Sequence, residues 1–314
     1  MFRYKLILVF IILPFITRAQ KLVNGISQLN INGIRHWVKV AGAEHQTVPM
    51  VIIHGGPGGN HYVFERTAGA ELEKFATVIY YEQRGSGRSD RPEDGKYTVP
   101  LMVSDLDAIR KNLGLKQIVP LGYSFGASLA LEYTLAHPAE VKGLILESFA
   151  TLQDSSVLLS QLANFYSQAH AGTRPKMDSI LRSNSSLADK NMAFWNLARR
   201  EDVIRFLFRD PAQGRKVFGM WQESGIGNTG EVMKALMKEQ RPVNLYDDAH
   251  RVKSPVLIVA GVYDRNGALP AAIRIKEEIP RSEIRFFERS AHFPDVEETA
   301  EFTRVVKNWY SALE

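Results

Sequence analysis

A chain of 314 residues, of which 45% are hydrophobic, can bury the core of one large α/β domain or of two smaller ones, which excludes a disordered protein. The formal charge of +5 includes three basic residues among the first 20, and the remaining 36 basic and 34 acidic residues leave a net charge of +2. Such a balance does not indicate a nucleic acid or an anionic membrane as a partner. The absence of cysteine excludes disulfides and thiolate metal sites.

The first 20 residues have the pattern of a secretory signal peptide. Arg3 and Lys5 give a basic start, residues 6–16 are apolar, and Ala19 provides a small residue for cleavage. The apolar part is short for a membrane span. We therefore expect residues 1–20 to be removed, which leaves no stable membrane span and a protein secreted across the inner membrane into a bacterial periplasm. An uncleaved N-terminal anchor is the alternative.

Apolar runs alternate with helical stretches through most of the remaining chain. The first two runs are joined by Asn32-Gly33, a pair typical of a β-hairpin turn. The later alternation predicts an α/β fold with a mostly parallel, eight-stranded sheet and helices on both faces. We predict strands at residues 25–30, 34–40, 50–53, 77–81, 118–121, 143–146, 256–260 and 283–287, and helices at residues 62–75, 102–113, 125–137, 270–278 and 299–313.

Residues 150–247 interrupt this rhythm. They lack strand-like apolar runs and show amphipathic segments such as residues 152–166 and 191–208. We interpret them as a helical cap, or lid, over the carboxyl edge of the sheet, and residues 21–149 and 248–314 as the core domain.

The segment Gly122-Tyr123-Ser124-Phe125-Gly126 lies between a predicted strand and a predicted helix. This is the context of a nucleophile elbow, a sharp turn that exposes a serine hydroxyl and needs glycines two residues to either side. The helix that begins at Phe125 can direct its free N–H groups toward developing negative charge. We therefore predict that Ser124 is a nucleophile. The alternative is a glycine-flanked turn without chemistry.

A glycine-rich loop, His54-Gly55-Gly56-Pro57-Gly58-Gly59, directly follows the predicted strand at residues 50–53. Its backbone N–H groups can approach a substrate oxygen closely, as an oxyanion hole requires. A phosphate-binding loop is the alternative, but no Gly-Lys-Ser/Thr follows and the proline removes one donor. We predict that Gly56 and Phe125 form the oxyanion hole.

A nucleophilic serine needs a histidine base and an acid that orients it. Asp264 and His292 follow the predicted strands at residues 256–260 and 283–287, so the chain order is serine, acid, histidine, as this type of sheet requires. A turn aspartate and an unused loop histidine are the alternatives. The other histidines form no metal-binding pair at helical spacing, and we expect no metal.

Residues 28–310 resemble the α/β-hydrolase fold and, within it, the proline iminopeptidase family of serine peptidases. The resemblance rests on HGGPGG at residues 54–59, on QRGSGRS at residues 83–89, and on the GYSFG elbow. Glu82 stands where the family usually has an aspartate before the glutamine. The resemblance implies Ser124 as nucleophile, His292 as general base and acid, Asp264 as its orienter, Gly56 and Phe125 as oxyanion donors, and no cofactor.

Members of that family release an N-terminal proline from short peptides and bind its free amino group with glutamates of the cap. Glu223 beside Trp221 is similar to the tryptophan-glutamate element of the family, although the spacing differs by one residue, and Glu147 is a second candidate. Tyr123 and Phe125 also depart from the family's elbow, which typically has a small residue and a tryptophan there.

These observations predict a secreted serine hydrolase that acts through an acyl-enzyme on a small peptide or small acyl substrate. An aminopeptidase of the proline iminopeptidase type is the main hypothesis. A carboxylesterase or lipase-like enzyme for small acyl esters is the alternative, and a non-catalytic ligand-binding receptor on the same fold is the remote one. The oligomeric state is not predicted.

Overall fold

The computed structural model describes residues 21–151, 154–225, 227–239 and 244–313. The predicted signal peptide at residues 1–20 lies outside the described residues. Within the described ranges, every helix is too short or too polar to span a bilayer.

Eight strands form one sheet in the described part of the chain. Its spatial order is β1-β2-β4-β3-β5-β6-β7-β8; β1, β2 and β4 pair antiparallel, and all the other pairs are parallel. This confirms the predicted mostly parallel sheet. The strands are β1 (Gly25–Ile31), β2 (Ile34–Ala41), β3 (Met50–Ile53), β4 (Val78–Tyr81), β5 (Val119–Tyr123), β6 (Leu144–Glu147), β7 (Val256–Gly261) and β8 (Ser282–Phe287).

The sequence explains both the buried parallel strands and the antiparallel hairpin at the edge of the sheet. Strands β3, β4, β6 and β7 are buried along their whole length, as expected of parallel strands covered on both faces. The β1–β2 hairpin turns at Asn32 and Gly33, whose φ angles of 49° and 75° lie in the left-handed region that these two residues tolerate.

Helices cover both faces of the sheet, also as predicted. Apolar residues of α3, α4 and α12 pack on one face, and those of α2 and α14 pack on the other. The helices, in chain order, are α1 (Tyr62–Phe64), α2 (Ala70–Leu72), α3 (Val99–Asn112), α4 (Phe125–Ala136), α5 (Ser155–Gln168), α6 (Arg174–Arg182), α7 (Leu187–Leu197), α8 (Arg200–Leu207), α9 (Pro211–Glu223), α10 (Thr229–Lys238), α11 (Leu245–Ala249), α12 (Ala268–Glu278), α13 (Pro294–Glu297) and α14 (Thr299–Ser311).

Two predicted helices differ from the structure for local reasons. The helix predicted at residues 62–75 is broken into α1, a π-helical turn at Glu65–Gly69, and α2. Thr67 has non-helical backbone angles there, and its hydroxyl donates to the Val63 carbonyl at 2.9 Å, a side-chain bond that commonly bends helices. Helix α3 begins three residues earlier than predicted because Thr98 caps it and Pro100 is placed in its first turn, where proline is tolerated.

Helices α5 to α11 lie between β6 and β7, where the sequence predicts a cap. Buried apolar residues of α5 to α9 form one cluster that includes Phe165, Phe194 and Phe206 and also Val63 of α1, whereas those of α10 and α11 join the cluster on one face of the sheet. Hydrogen bonds join this segment to the sheet domain: the His292 N–H donates to the Leu207 carbonyl at 3.0 Å, and Asn228 Nδ2 donates to the Gly85 carbonyl at 2.7 Å. The boundaries of the cap at residues 150–247 stay a prediction.

Gly126 allows α4 to pack directly on β3. A Cβ atom at this position would lie 1.9 Å from the backbone oxygen of Ile53 and 2.8 Å from that of His54. Because both are backbone atoms of the buried centre of the sheet, neither can move aside cheaply.

We therefore predict that Gly126→Ala lowers the free energy of unfolding by about 3 kcal/mol or more, because the added methyl overpacks the α4–β3 contact. Gly219→Ala is the matched control: Gly219 lies inside α9, and a Cβ atom there would have no neighbour within 4 Å, so alanine should stabilise by about 0.5–1 kcal/mol through helix propensity. Urea unfolding of both variants measures the difference. Equal stability of the two variants would contradict this account of the packing.

Candidate active site

Ser124 lies on a sharp turn between β5 and α4. Its φ and ψ angles are 55° and −125°, a strained conformation for a residue with a side chain. The turn is tight enough that a Cβ atom on Gly122 would lie 2.1 Å from the Gly126 carbonyl oxygen. A side chain at either glycine of the predicted elbow would therefore clash with neighbouring backbone atoms, which explains why both positions are glycine.

His292 lies within hydrogen-bonding distance of both Ser124 and Asp264. His292 Nε2 lies 3.0 Å from Ser124 Oγ, and His292 Nδ1 lies 2.8 Å from Asp264 Oδ2. The exposed fractions of His292 and Asp264 are only 3% and 8%. With the Nδ1 proton donated to the carboxylate, Nε2 carries the lone pair that can accept the serine proton.

The loops that carry the acid and the histidine are locked together. A Cβ atom on Gly261 would lie 1.9 Å from the Ala291 carbonyl oxygen, and the Tyr263 N–H donates to the Ser290 carbonyl at 3.0 Å. Ser148, directly after β6, donates its hydroxyl to the His292 carbonyl at 2.9 Å. Three neighbouring strand ends therefore position one imidazole.

The glycine-rich loop lies against the elbow. A Cβ atom on Gly55 would lie 2.9 Å from Ser124 Cβ, so the loop passes close to the serine at Gly55, the residue before Gly56. Within the described residues, the N–H groups of Gly56 and Phe125 donate no hydrogen bond. Free backbone donors of this kind can bind an oxyanion, which is the role predicted for Gly56 and Phe125.

His54 braces this loop. Its Nδ1 atom lies 2.9 Å from the Gly55 carbonyl, and its Nε2 accepts the Gln83 N–H at 3.1 Å, so the ring holds a single proton on Nδ1. Burial lowers the pKa of His54 to about 4, which keeps the ring neutral. The histidine thus links the glycine-rich loop to the segment at residues 83–89.

Comparison with known proteins identifies the fold family. A model of the alpha/beta hydrolase fold matches residues 48–298. The chain belongs to the α/β-hydrolase fold family. It is 27% identical to the proline iminopeptidase of Thermoplasma volcanium over 290 residues, which is 88% of this chain and 94% of the relative.

Solved structures share the fold of this α/β hydrolase. The proline iminopeptidase of Mycobacterium smegmatis has a TM-score of 0.69 at 22% identity, covering 92% of this chain and 98% of the other. An esterase from Exiguobacterium antarcticum has a TM-score of 0.67 at 22% identity, with coverages of 92% and 100%. The predicted fold and the resemblance to proline iminopeptidases are confirmed, and the protein is an enzyme, a hydrolase.

In this α/β hydrolase, Glu82 replaces the aspartate expected before the glutamine and forms a buried network. Its carboxylate accepts the Arg88 N–H and lies 2.8 Å from His61 Nδ1, while His61 Nε2 lies 3.2 Å from Glu65. Burial of His61 opposes its charge, but Glu65 and Glu82 together raise its pKa. The network ties residues that follow the glycine-rich loop to the segment at residues 83–89.

Glu147, predicted as a substrate ligand, lies fully buried behind the elbow of the hydrolase. Its carbonyl accepts the Ser124 N–H at 2.9 Å, and its Oε1 accepts the Asp295 N–H at 3.0 Å. Its Oε2 and Oδ1 of Asp295 have no hydrogen-bond partner within the described chain. Burial and the negative charge of Asp295 raise the pKa of Glu147 well above its usual value, and burial raises the pKa of Asp295 to about 6.

One proton shared by this pair would give both free oxygens a partner. A neutral Glu147 carboxyl can donate to Asp295, which lies three residues after His292. This burial does not favour direct contact of Glu147 with a substrate, and it makes the pair a support beneath both the elbow and the histidine loop.

Glu223 and Trp221, the other predicted substrate residues, lie at the end of α9. Glu223 is exposed, and its Oε2 accepts the Tyr62 hydroxyl at 3.3 Å. Trp221 packs against Phe293, the neighbour of His292, with ring centroids 5.9 Å apart. The indole therefore contacts the residue that follows His292 in the chain.

Sequence reasoning missed two side chains of the hydrolase site, Asn266 and Asp295. Asn266 Nδ2 lies 3.2 Å from His292 Nε2, and Asp295 interacts with Glu147. Both lie within three residues of a predicted catalytic residue, and that proximity in sequence is the only signal that could have found them.

The carboxyl pair predicts a dependence of stability on pH. Because the folded state holds protons that the unfolded state has released, stability is highest below about pH 4 for this pair and falls as the pH rises through about 6 and above. Glu147→Gln supplies a permanent donor to Asp295 and removes the ionisable partner. We expect the loss of Tm between pH 5 and pH 8 to shrink by about 3 °C relative to the parent protein.

Calorimetry at the two pH values measures this effect. Glu301→Gln is the control, since Glu301 is paired with Arg304 on the surface of α14 and should not change the difference between pH 5 and pH 8. If Glu147→Gln shows the parent's full loss of Tm, the two carboxyls do not share a proton.

Proposed function

We propose that this protein is a serine hydrolase in which Ser124 is the nucleophile, His292 the general base and acid, and Asp264 the residue that orients the imidazole. The two distances of 3.0 and 2.8 Å that join the three side chains carry the proposal. The burial of His292 and Asp264 supports it, because shielding from water strengthens the attraction between imidazolium and carboxylate during the reaction.

The proposed reaction has two steps. Ser124 Oγ attacks a substrate carbonyl while His292 Nε2 takes its proton, and the N–H groups of Gly56 and Phe125 stabilise the oxyanion. His292 then gives the proton to the leaving group, which departs and leaves an acyl-enzyme. Water, activated by His292, hydrolyses the ester and restores the free hydroxyl. No metal or cofactor is proposed to take part.

For the substrate, we propose a short peptide with a free N-terminus, most specifically one that begins with proline. The identity to the Thermoplasma volcanium proline iminopeptidase over most of both chains supports this choice. Glu223 at the end of α9 is the proposed partner of the substrate ammonium, and Trp221 is proposed to line the site beside Phe293. Glu147 is proposed to support the elbow instead.

A carboxylesterase acting on small acyl esters is the second candidate. The similarity of the fold to the esterase from Exiguobacterium antarcticum supports it. The departures at Tyr123 and Phe125 also favour a pocket shaped differently from that of the family.

Secretion into a periplasm stays part of the proposal and rests on the sequence of residues 1–20 alone.

We predict that Ser124→Ala lowers kcat by at least about 10⁴-fold and that Asp264→Asn lowers it by about 10⁴-fold, because the asparagine favours the wrong tautomer of His292. Hydrolysis of a proline arylamide or of a short acyl ester, whichever the parent protein turns over, measures both. Retention of more than a tenth of the parent's kcat by Ser124→Ala would refute the choice of nucleophile.

The substrate class is tested by comparing proline arylamide, N-acetylproline arylamide and a short acyl ester on the mature protein. We expect turnover of the free arylamide and its loss on acetylation, because the ammonium loses its carboxylate partner. Turnover of the ester alone would establish the esterase candidate and refute the peptidase.

Glu223→Gln should lower kcat/KM for the free arylamide about fivefold, since an exposed ion pair contributes at most about 1 kcal/mol. Glu201→Gln is the matched control, because Glu201 is an exposed cap glutamate paired with Arg215. If the two variants behave alike, Glu223 does not bind the ammonium.

A further inference from the structure

A chain of three side-chain amides runs from the helices between β6 and β7 to the imidazole of His292. Asn191 Nδ2, on α7, donates to Gln161 Oε1, on α5, at 2.7 Å. Gln161 Nε2 donates to Asn266 Oδ1 at 2.9 Å, and Asn266 Nδ2 lies 3.2 Å from His292 Nε2. Asn191 and Gln161 are both more than 90% buried. None of the three is part of the proposed reaction.

One backbone carbonyl determines which amide atoms donate and which accept along this series of hydrogen bonds. The Asn266 carbonyl can only accept, and the side-chain atom of Gln161 that lies 3.1 Å from it must therefore be the nitrogen. That same nitrogen meets the Asn266 side chain, so the facing atom there must be the oxygen. The Asn266 NH₂ group is consequently turned toward His292, and Gln161 prevents it from turning away.

This orientation bears on the protonation state of the imidazole. His292 Nδ1 is engaged by Asp264, so the lone pair on Nε2 receives both the Ser124 hydroxyl and the Asn266 NH₂. Two donors stabilise a neutral ring, whereas a proton on Nε2 would face the N–H groups of the amide. The Ser124 oxygen, 3.0 Å away, could accept that proton, but the Asn266 amide could accept it only after a rotation that would break its bond to Gln161.

We infer that Asn266, held in orientation by Gln161 and Asn191, is a positioning residue that keeps His292 in its neutral, proton-accepting form and so extends the activity of the site to lower pH. The inference rests on the proposed role of His292 as base. It also means that α5 and α7 act on the catalytic imidazole without contacting it.

Charged groups around the imidazole also affect its protonation, because nearby carboxylates favour the charged ring and a nearby guanidinium disfavours it. Asp264 lies 2.8 Å from Nδ1, Asp295 on the histidine's own loop interacts electrostatically with the ring, and Glu147 at the end of β6 interacts with Asp295. Arg265, next to Asp264 in the chain, donates its guanidinium to the Arg205 carbonyl at 2.9 Å. Gln161, which approaches from α5, and Ser124, on the elbow, carry no charge. Because substitutions of Asn266 and Gln161 by neutral residues leave all four ionisable groups in place, a change in pH dependence can be assigned to the amides.

The test uses the rate at which a fluorophosphonate labels Ser124 as a function of pH, which requires no knowledge of the substrate. Asn266→Ala should move the acidic limb of this profile to higher pH by about half to one unit, the effect of one hydrogen bond on a protonation equilibrium. Asn266→Asp should move it further, because a carboxylate stabilises the imidazolium. Gln161→Leu should move it in the same direction by a smaller amount, since Asn266 is then free to rotate.

Two further variants distinguish the effect of the three-amide series from a general loosening of the loop that carries Asn266. Asn164→Ala is the matched control: Asn164 also lies on α5 and donates to the same loop, at the Arg265 carbonyl at 3.0 Å, but does not contact the imidazole or its amide partner. Its acidic limb should match that of the parent protein. The double variant Gln161→Leu with Asn266→Ala should match Asn266→Ala alone, because Gln161 acts only through Asn266.

The inference is overturned if Asn266→Ala leaves the limb in place, or if Asn164→Ala shifts it as much. Should Asn266→Ala fail to fold, Gln161→Leu carries the test, because its side chain does not contact Ser124, Asp264 or His292. Failure of the proposed function has a different signature: the parent protein would then show no labelling that depends on Ser124, whatever the pH profiles of the variants.

Discussion

The close approach of three peptide segments at the elbow is the constraint on which the site depends. Gly126 lets α4 contact the backbone of β3, Gly122 lets the turn close on itself, and Ser124 between them takes a positive φ that only this packing can hold. The stability of the sheet centre therefore supplies the energy that holds one half-buried serine in this conformation at the end of β5. Fold and chemistry are joined at this point, because a looser elbow would move the hydroxyl relative to His292.

The surrounding groups form successive supports of this arrangement. Ser148 and the Leu207 carbonyl hold the backbone of His292, and the buried pair of Glu147 and Asp295 lies beneath both the elbow and the histidine loop. The Leu207 bond comes from the helical segment between β6 and β7, and so does the amide chain that ends at Asn266. That segment therefore contacts the loops that carry His292 and Asn266 directly.

The features of the structure that the sequence predicts have local causes, whereas the features that it does not predict depend on contacts between distant residues or on single side-chain bonds. The sheet, the elbow and the order of Ser124, Asp264 and His292 follow from apolar runs and from glycines whose need is set within a few residues. The break at Thr67 depends on one side-chain bond inside a helix, and the partners of Asn266 and Glu147 lie 105 and 148 residues away in the chain. A single sequence does not show such pairings, so it predicts Glu147 as a substrate ligand, whereas in the structure the carboxyl is buried and accepts the Asp295 N–H.

The most direct test of this account is to map the covalent adduct of a fluorophosphonate by digestion and mass spectrometry. The account predicts one modified residue, Ser124, with no adduct in Ser124→Ala and labelling slowed by at least about 10³-fold in His292→Ala, because the hydroxyl then has no base. Labelling of Ser124→Ala at the parent's rate, or an unchanged rate in His292→Ala, would contradict it.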